Sequence, residues 1–163
     1  AAGRPQAGIV VGRRALIARL RANPLLRALR VGAPTIAALA ATLRLHLDPA
    51  LREHIPFYRM LATTHDALRA RAEAVRAELD GLDLAIVASD GYAGGGSLPL
   101  APLASVALAW RPSHGDANAA LVRLRAGTPP LVARAEGDRV VIDLRTIPPE
   151  RDADVVAALG AAN

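Results

Sequence analysis

The stretch from Gly3 to Arg30, GRPQAGIVVGRRALIARLRANPLLRALR, constrains this chain more than any other. Within it, Ala7 to Val11 is wholly apolar, β-branched at its centre and bounded by glycine. A short apolar run with such boundaries predicts a strand buried on both faces, as in a parallel sheet. A helix is expected from Arg13 to Ala22. Leu16, Ile17 and Leu20 lie on one side of it, with Arg13, Arg14, Arg19 and Arg21 mainly around the other. Asn23-Pro24 breaks that helix and restarts it, with asparagine as N-cap and proline at the first helical position. The second helix has Leu25, Leu26 and Leu29 as its expected buried side, and it carries Arg27 and Arg30. Three residues apart, those arginines would share one helical face and could grip one anion together. Guanidinium groups offer paired donors in a fixed plane, which suits phosphate-like oxyanions. From spacing alone, the plainer reading is two solvated arginines on a leucine-rich helix.

Further along, Pro34 opens a helix with Ile36, Leu39, Leu43 and Leu47 at helical spacing, ending at Asp48-Pro49. Pro56 begins a short helix through Phe57 and Met60. Thr64 is the expected N-cap of a helix from Asp66 to Leu79, stopped by Asp80-Gly81. Its predicted stripe is Ala67, Leu68, Ala72, Val75 and Leu79, leaving Arg69, Arg71, Glu73 and Arg76 to water. From residue 82 the pattern changes to strands, at Leu84 to Ala88 and at Ser105 to Trp110. Ala117 to Ala126 is a helix closed by Gly127. Leu131 to Ala135 and Val140 to Leu144 form a hairpin across Glu136-Gly137-Asp138. A last helix runs from about Pro149 to Leu159. Such an order predicts a small α+β layer, an antiparallel sheet with helices on one face. The expected division is residues 1–55 and 56–163.

The 163 residues suffice for one domain with a real core, and hydrophobic residues make up 52% of them against 2% aromatic. A net charge of +5 and a pI near 11.1 raise the question of nucleic acid. The arginines are spread along the chain, and outside the Arg13 to Arg30 cluster half of them stand within two residues of Asp or Glu. One Trp, one Phe and two Tyr give no stacking platform for single strands. A solvated arginine-rich surface is therefore the expectation, rather than a dedicated nucleic-acid module. No cysteine is present, which removes disulfides and thiolate chemistry and fits the cytoplasm. No apolar run approaches the roughly 18 residues that a membrane helix needs, and no signal-peptide layout is visible at the start.

Several segments read together resemble one family. GRPQAGIVVGR, then PLLRALR, a helix ending ATLRLHLDP, IPFYRMLATT, GGGSLP and LRTIPP occur in order over nearly the whole chain. They are similar to bacterial selenocysteine synthase, the L-seryl-tRNA(Sec) selenium transferase family. The resemblance implies an α/β enzyme of the aspartate-aminotransferase-like, fold type I class that uses pyridoxal phosphate. It implies that residues 1–55 are the last strand and helices of the large cofactor domain with a linking helix. Residues 56–163 would be the small α+β C-terminal domain. The implied reaction converts seryl-tRNA(Sec) to selenocysteinyl-tRNA(Sec) with selenophosphate, in a cytoplasmic homo-oligomer. Arg27 and Arg30 match arginines that bind the anionic group of the substrate.

In that family the Schiff-base lysine lies immediately before the loop matched by Ala1-Ala2-Gly3. This sequence contains no lysine, and an arginine cannot replace one. The expectation is a C-terminal portion that is inactive alone, with no catalytic residue of its own. Two differences from the family pattern stand out: Arg4 where a second glycine is usual, and Gly32-Ala33 where Asp-Lys is usual. A related pyridoxal-phosphate lyase acting on a sugar acid or amino acid is one alternative. A non-catalytic oligomerisation or interaction domain is another.

The remaining motifs carry less. The loop Gly3 to Gly8 reads either as a turn into the strand or, by resemblance, as backbone beside the cofactor. Gly94 to Pro99 could offer backbone N–H groups to a phosphate, but no helix and no Lys-Ser/Thr follow it. A structural loop near the active-site mouth is the better reading. His46, His54, His65 and His114 show no paired ligand spacing, so no metal site is expected. Asp143 and Arg145, two apart in a predicted strand, read as a sheet-surface pair.

Overall fold

A computed structural model describes residues 7–92 and 102–163, with the side chains of residues 52 and 53 set aside. The start of the Gly3 to Gly8 loop and all of Gly94 to Pro99 lie outside the described residues. The chain divides into two compact units, Ala1–Pro56 and Phe57–Asn163.

In the second unit, Thr64 starts the helix around which the core is built. Its hydroxyl accepts a hydrogen bond from the Ala67 N–H at 3.2 Å, satisfying one of the helix's orphan donors. The helix α5, His65–Ala77, buries Leu68, Ala72 and Val75. Ala67, predicted in that stripe, is exposed. The short helix before it, α4, spans Pro56–Ala62.

Four strands follow: β1 (Leu84–Tyr92), β2 (Pro102–Trp110), β3 (Arg134–Glu136) and β4 (Arg139–Asp143). Their order is β1-β2-β4-β3, and all pairings are antiparallel. Leu84 lies opposite Trp110, and Leu108 lies between Ile86 and Ile142. Because side chains alternate along a strand, these residues share one face. That face joins α5, α6 (Ala117–Ala126) and α7 (Asp152–Ala162) in a single core. The opposite face gathers Ala107, Ala109 and Val141 with Ala85 and Val87. Asp116 caps α6 by accepting from the Ala119 N–H at 2.8 Å, and Gly127 follows its end. The β3–β4 hairpin is shorter than predicted and turns on Gly137-Asp138. There Gly137 has φ +61°, a conformation that favours glycine.

The first unit is helical throughout its described regular structure. It holds α1 (Arg14–Ala22), α2 (Leu25–Ala28), α3 (Ala33–Leu47) and a 3-10 turn, Pro49–His54. Here two expectations are corrected. Ala7 to Val11 forms no strand, and Val11 is 87% exposed. A strand is held by its ladder, and no described strand lies in this unit to pair with it. The leucines of α2 are not buried either: Leu25 is 68% and Leu29 75% exposed. No described residue of these helices is buried, because a helix needs a second layer against its apolar stripe.

Candidate anion site

Arg27 and Arg30 lie around the end of α2. The Asn23 side chain accepts from the Leu25 N–H at 3.0 Å and so fixes the start of that helix after Pro24. Leu29 closes it, its N–H donating to the Leu25 carbonyl at 3.1 Å. Arg27 therefore belongs to the helix, while Arg30 lies beyond it, in the connection to α3. The expected sharing of one helical face is corrected accordingly: a four-residue helix is too short to hold both. Both arginines are exposed, and neither has a hydrogen-bond or ion-pair partner among the described residues. Each guanidinium keeps its N–H donors available to a ligand.

In the second unit most arginines are already engaged. Arg71, expected to face water, is instead drawn in from α5. Its Nε donates to Asp152 Oδ2 at 3.0 Å, and its terminal nitrogens donate to the Leu144 and Ile147 carbonyls. Only 16% of its side chain is exposed. A guanidinium can reach several acceptors at once, so one residue ties α5 to the segment before α7.

Asp143 and Arg145 are not the predicted surface pair. β4 ends at Asp143, and Arg145 sits in the 3-10 turn Leu144–Thr146, so strand alternation no longer relates them. The Asp143 carboxylate accepts from the Arg145 main-chain N–H at 3.0 Å, from Ser105 Oγ at 2.7 Å and from Ser89 Oγ at 3.0 Å. The Arg145 guanidinium turns elsewhere, donating to the carbonyls of Met60, Thr63 and Ala104. Both serine hydroxyls spend their protons on the carboxylate, which locks β1 and β2 to the end of β4. These contacts are structural. Sequence reasoning misses them because partners dozens of residues apart leave no local spacing to read.

His65 lies 3.8 Å from Asp66, and His114 Nδ1 lies 3.0 Å from the Asn163 main-chain oxygen. Among the described residues no group of three His, Cys, Asp or Glu side chains could hold a metal ion. No described helix is long and apolar enough to cross a membrane.

Fold and side chains thus define a class: an arginine-bearing helical segment followed in the chain by a small antiparallel α+β unit, with Arg27 and Arg30 exposed and unpartnered among the described residues. The chain belongs to the L-seryl-tRNA selenium transferase family, whose sequence model matches residues 1–148. An L-seryl-tRNA(Sec) selenium transferase of Moorella thermoacetica is 39% identical over 96% of this chain. Proteins of the same description from Nitratidesulfovibrio vulgaris and Aquifex aeolicus are 40% and 36% identical, over 98% and 89% of it. The chain spans about a third of the length of these curated relatives, 35%, 35% and 32% respectively.

Proposed function

We propose that this chain is the C-terminal portion of an L-seryl-tRNA(Sec) selenium transferase, which converts seryl-tRNA(Sec) to selenocysteinyl-tRNA(Sec). Residues 1–55 then complete the large domain of a fold type I enzyme, and residues 56–163 form its small C-terminal domain. The exposed Val11, Leu25 and Leu29 support this reading, since apolar surface of that kind requires cover in an assembled enzyme. A cytoplasmic homo-oligomer is the form we assign to the whole.

Arg27 and Arg30 carry the chemistry assigned to this chain. They hold the anionic selenium donor, selenophosphate, and keep its leaving phosphate neutralised. The observation behind this is their freedom: both guanidinium groups are exposed and without a protein partner among the described residues. Each charge-assisted hydrogen bond to such an anion contributes about 1.5–3 kcal/mol.

The family's cofactor, pyridoxal phosphate, is not anchored by these residues. The sequence has no lysine, and protonated guanidinium groups cannot form the required covalent link. Its lysine belongs to the remainder of the enzyme, and no step through the cofactor is assigned to this chain.

Titration of the full-length protein with phosphate or thiosulfate tests the anion site. Binding should weaken about ten-fold or more in Arg27→Ala and in Arg30→Ala, at roughly 1.4 kcal/mol per ten-fold. An unchanged titration in both variants contradicts the assignment.

A further inference from the structure

The two margins of the sheet are protected unequally. β3 is three residues long, and Arg134 and Glu136 make it charged. Short, charged margins discourage pairing with another chain. β1, at the other margin, runs for nine residues, LAIVASDGY, with no proline and Asp90 as its only charge. Its outward groups follow from one bond. The Arg111 N–H donates to the Asp83 carbonyl at 2.9 Å, in register with Leu84 opposite Trp110. Bonded pairs recur at every second residue, so Ala85, Val87, Ser89 and Gly91 turn their main-chain groups toward β2. Leu84, Ile86, Ala88, Asp90 and Tyr92 turn theirs outward, where nothing bonds them among the described residues.

That pattern is complementary to itself. With two copies of β1 antiparallel about a two-fold axis at Ala88, Ala88 meets Ala88, Ile86 meets Asp90 and Leu84 meets Tyr92. All five are outward residues, so every open N–H and C=O gains a partner. Tyr92, 60% exposed, comes to lie beside Leu84, and no charge faces its like.

Unpaired charge on α5 fits the same register. Leu68, Ala72 and Val75 mark the core side of that helix. At about 100° per residue, Arg71 falls roughly 70° to one side of that line, and Arg69 and Arg76 about 70–90° to the other. Arg71 reaches Asp152 at the start of α7, so Arg76 lies on the flank away from α7, toward the β1 margin. His65, which begins α5, lines one cavity with Asp90 and Tyr92, which end β1. The helix therefore runs antiparallel to the strand, and Arg76 lies at the Leu84–Ile86 end. Asp90 of a second copy, opposite Ile86 and on the helix face, arrives at that same end. Arg76 and Asp90 are both exposed and without a partner among the described residues.

We propose that β1 is an interface between two copies of this chain, joining two four-stranded sheets edge to edge with the Arg76–Asp90 contact made twice. It supplies one contact of the homo-oligomer assigned above, yet it rests on the β1 margin and not on the reaction. An extended segment of another protein is the less favoured occupant, since nothing about it requires the symmetric register.

The test is cysteine cross-linking in the full-length protein, with linked peptides read by mass spectrometry. In a bonded antiparallel pair the Cα atoms lie about 5.5 Å apart, within the roughly 4.4–6.8 Å that a disulfide spans. Ala88→Cys should therefore join two copies at that position under mild oxidation by copper phenanthroline. Ala135→Cys, exposed on β3, should not. Arg76→Glu should lower the Ala88→Cys yield about three-fold or more, because repulsion replaces attraction in two places. Arg76→Glu/Asp90→Arg should restore it, which separates charge from any effect on folding. No link in Ala88→Cys, or equal links in Ala88→Cys and Ala135→Cys, overturns the pairing and leaves the selenium-transferase reading standing. A link in protein that transfers no selenium as wild type keeps the pairing and overturns that reading alone. A yield indifferent to the charge reversal keeps the strand contact and overturns the Arg76–Asp90 pair.

Discussion

Arg71 reaches from α5 to Asp152 and to the carbonyls of Leu144 and Ile147, and every one of those acceptors is partly shielded from water. Removing the guanidinium strands them together. Arg71→Ala should lower stability by about 2–4 kcal/mol, seen as a shift in denaturant midpoint at unchanged slope. The exposed Arg69→Ala should stay within about 0.5 kcal/mol. Arg71→Lys should recover only part of the loss, since one ammonium cannot span the same fork. Glu150 behaves differently, being exposed. Its main-chain hydrogen bond, and then that from Arg59, hold its carboxyl below the ordinary value of 4.5. A lowered folded-state value means that its stabilisation is complete above about pH 4.5 and lost as pH falls through the lowered value. Glu150→Gln should therefore flatten the acid limb of the stability curve below pH 4.5 and leave neutral pH almost unaffected. A steeper acid limb in the variant would contradict this.

At the scale of the elements, much was legible. Thr64 and Asp116 precede helices as short polar caps, and Ala117 to Ala126 could be bounded because Gly127 follows directly. The Gly137 turn announced itself between two alternating runs. Its φ of +61° gives a clean prediction. An added Cβ would meet nothing within 4 Å, so Gly137→Ala should cost only the backbone penalty, about 1–2 kcal/mol. Leu124 tests the packing instead: it is 1% exposed in the core between sheet and helices. Leu124→Ala should cost about 2–5 kcal/mol by thermal or chemical unfolding. What stayed illegible depended on partners distant in sequence. Ala7 to Val11 has a strand's composition, but composition cannot supply a neighbouring strand. Arg71 sits at a helical position whose spacing says solvent, and only the arrival of Asp152 beside it says otherwise. Arg27 and Arg30 stand out by motif, yet a shared helical face for them assumes a helix that Leu29 ends.

Over the whole molecule, burial and charge are unevenly divided. Buried side chains gather in Phe57–Asn163, while the described helices of Ala1–Pro56 hold none. For the 163-residue chain, amides of β2, β4 and α5 should exchange only through global opening, and those of α1 to α3 far faster. Equal protection in both units would contradict that division. Selenium transfer is the central claim, and conversion of seryl-tRNA(Sec) to selenocysteinyl-tRNA(Sec) by the full-length protein tests it most directly. The assay should compare wild type with Arg27→Ala and Arg30→Ala, in the presence of selenophosphate and pyridoxal phosphate. We predict conversion by the wild type and a loss of about ten-fold or more in each variant, with seryl-tRNA(Sec) still bound. No conversion by the wild type, or full conversion by both variants, would contradict the account.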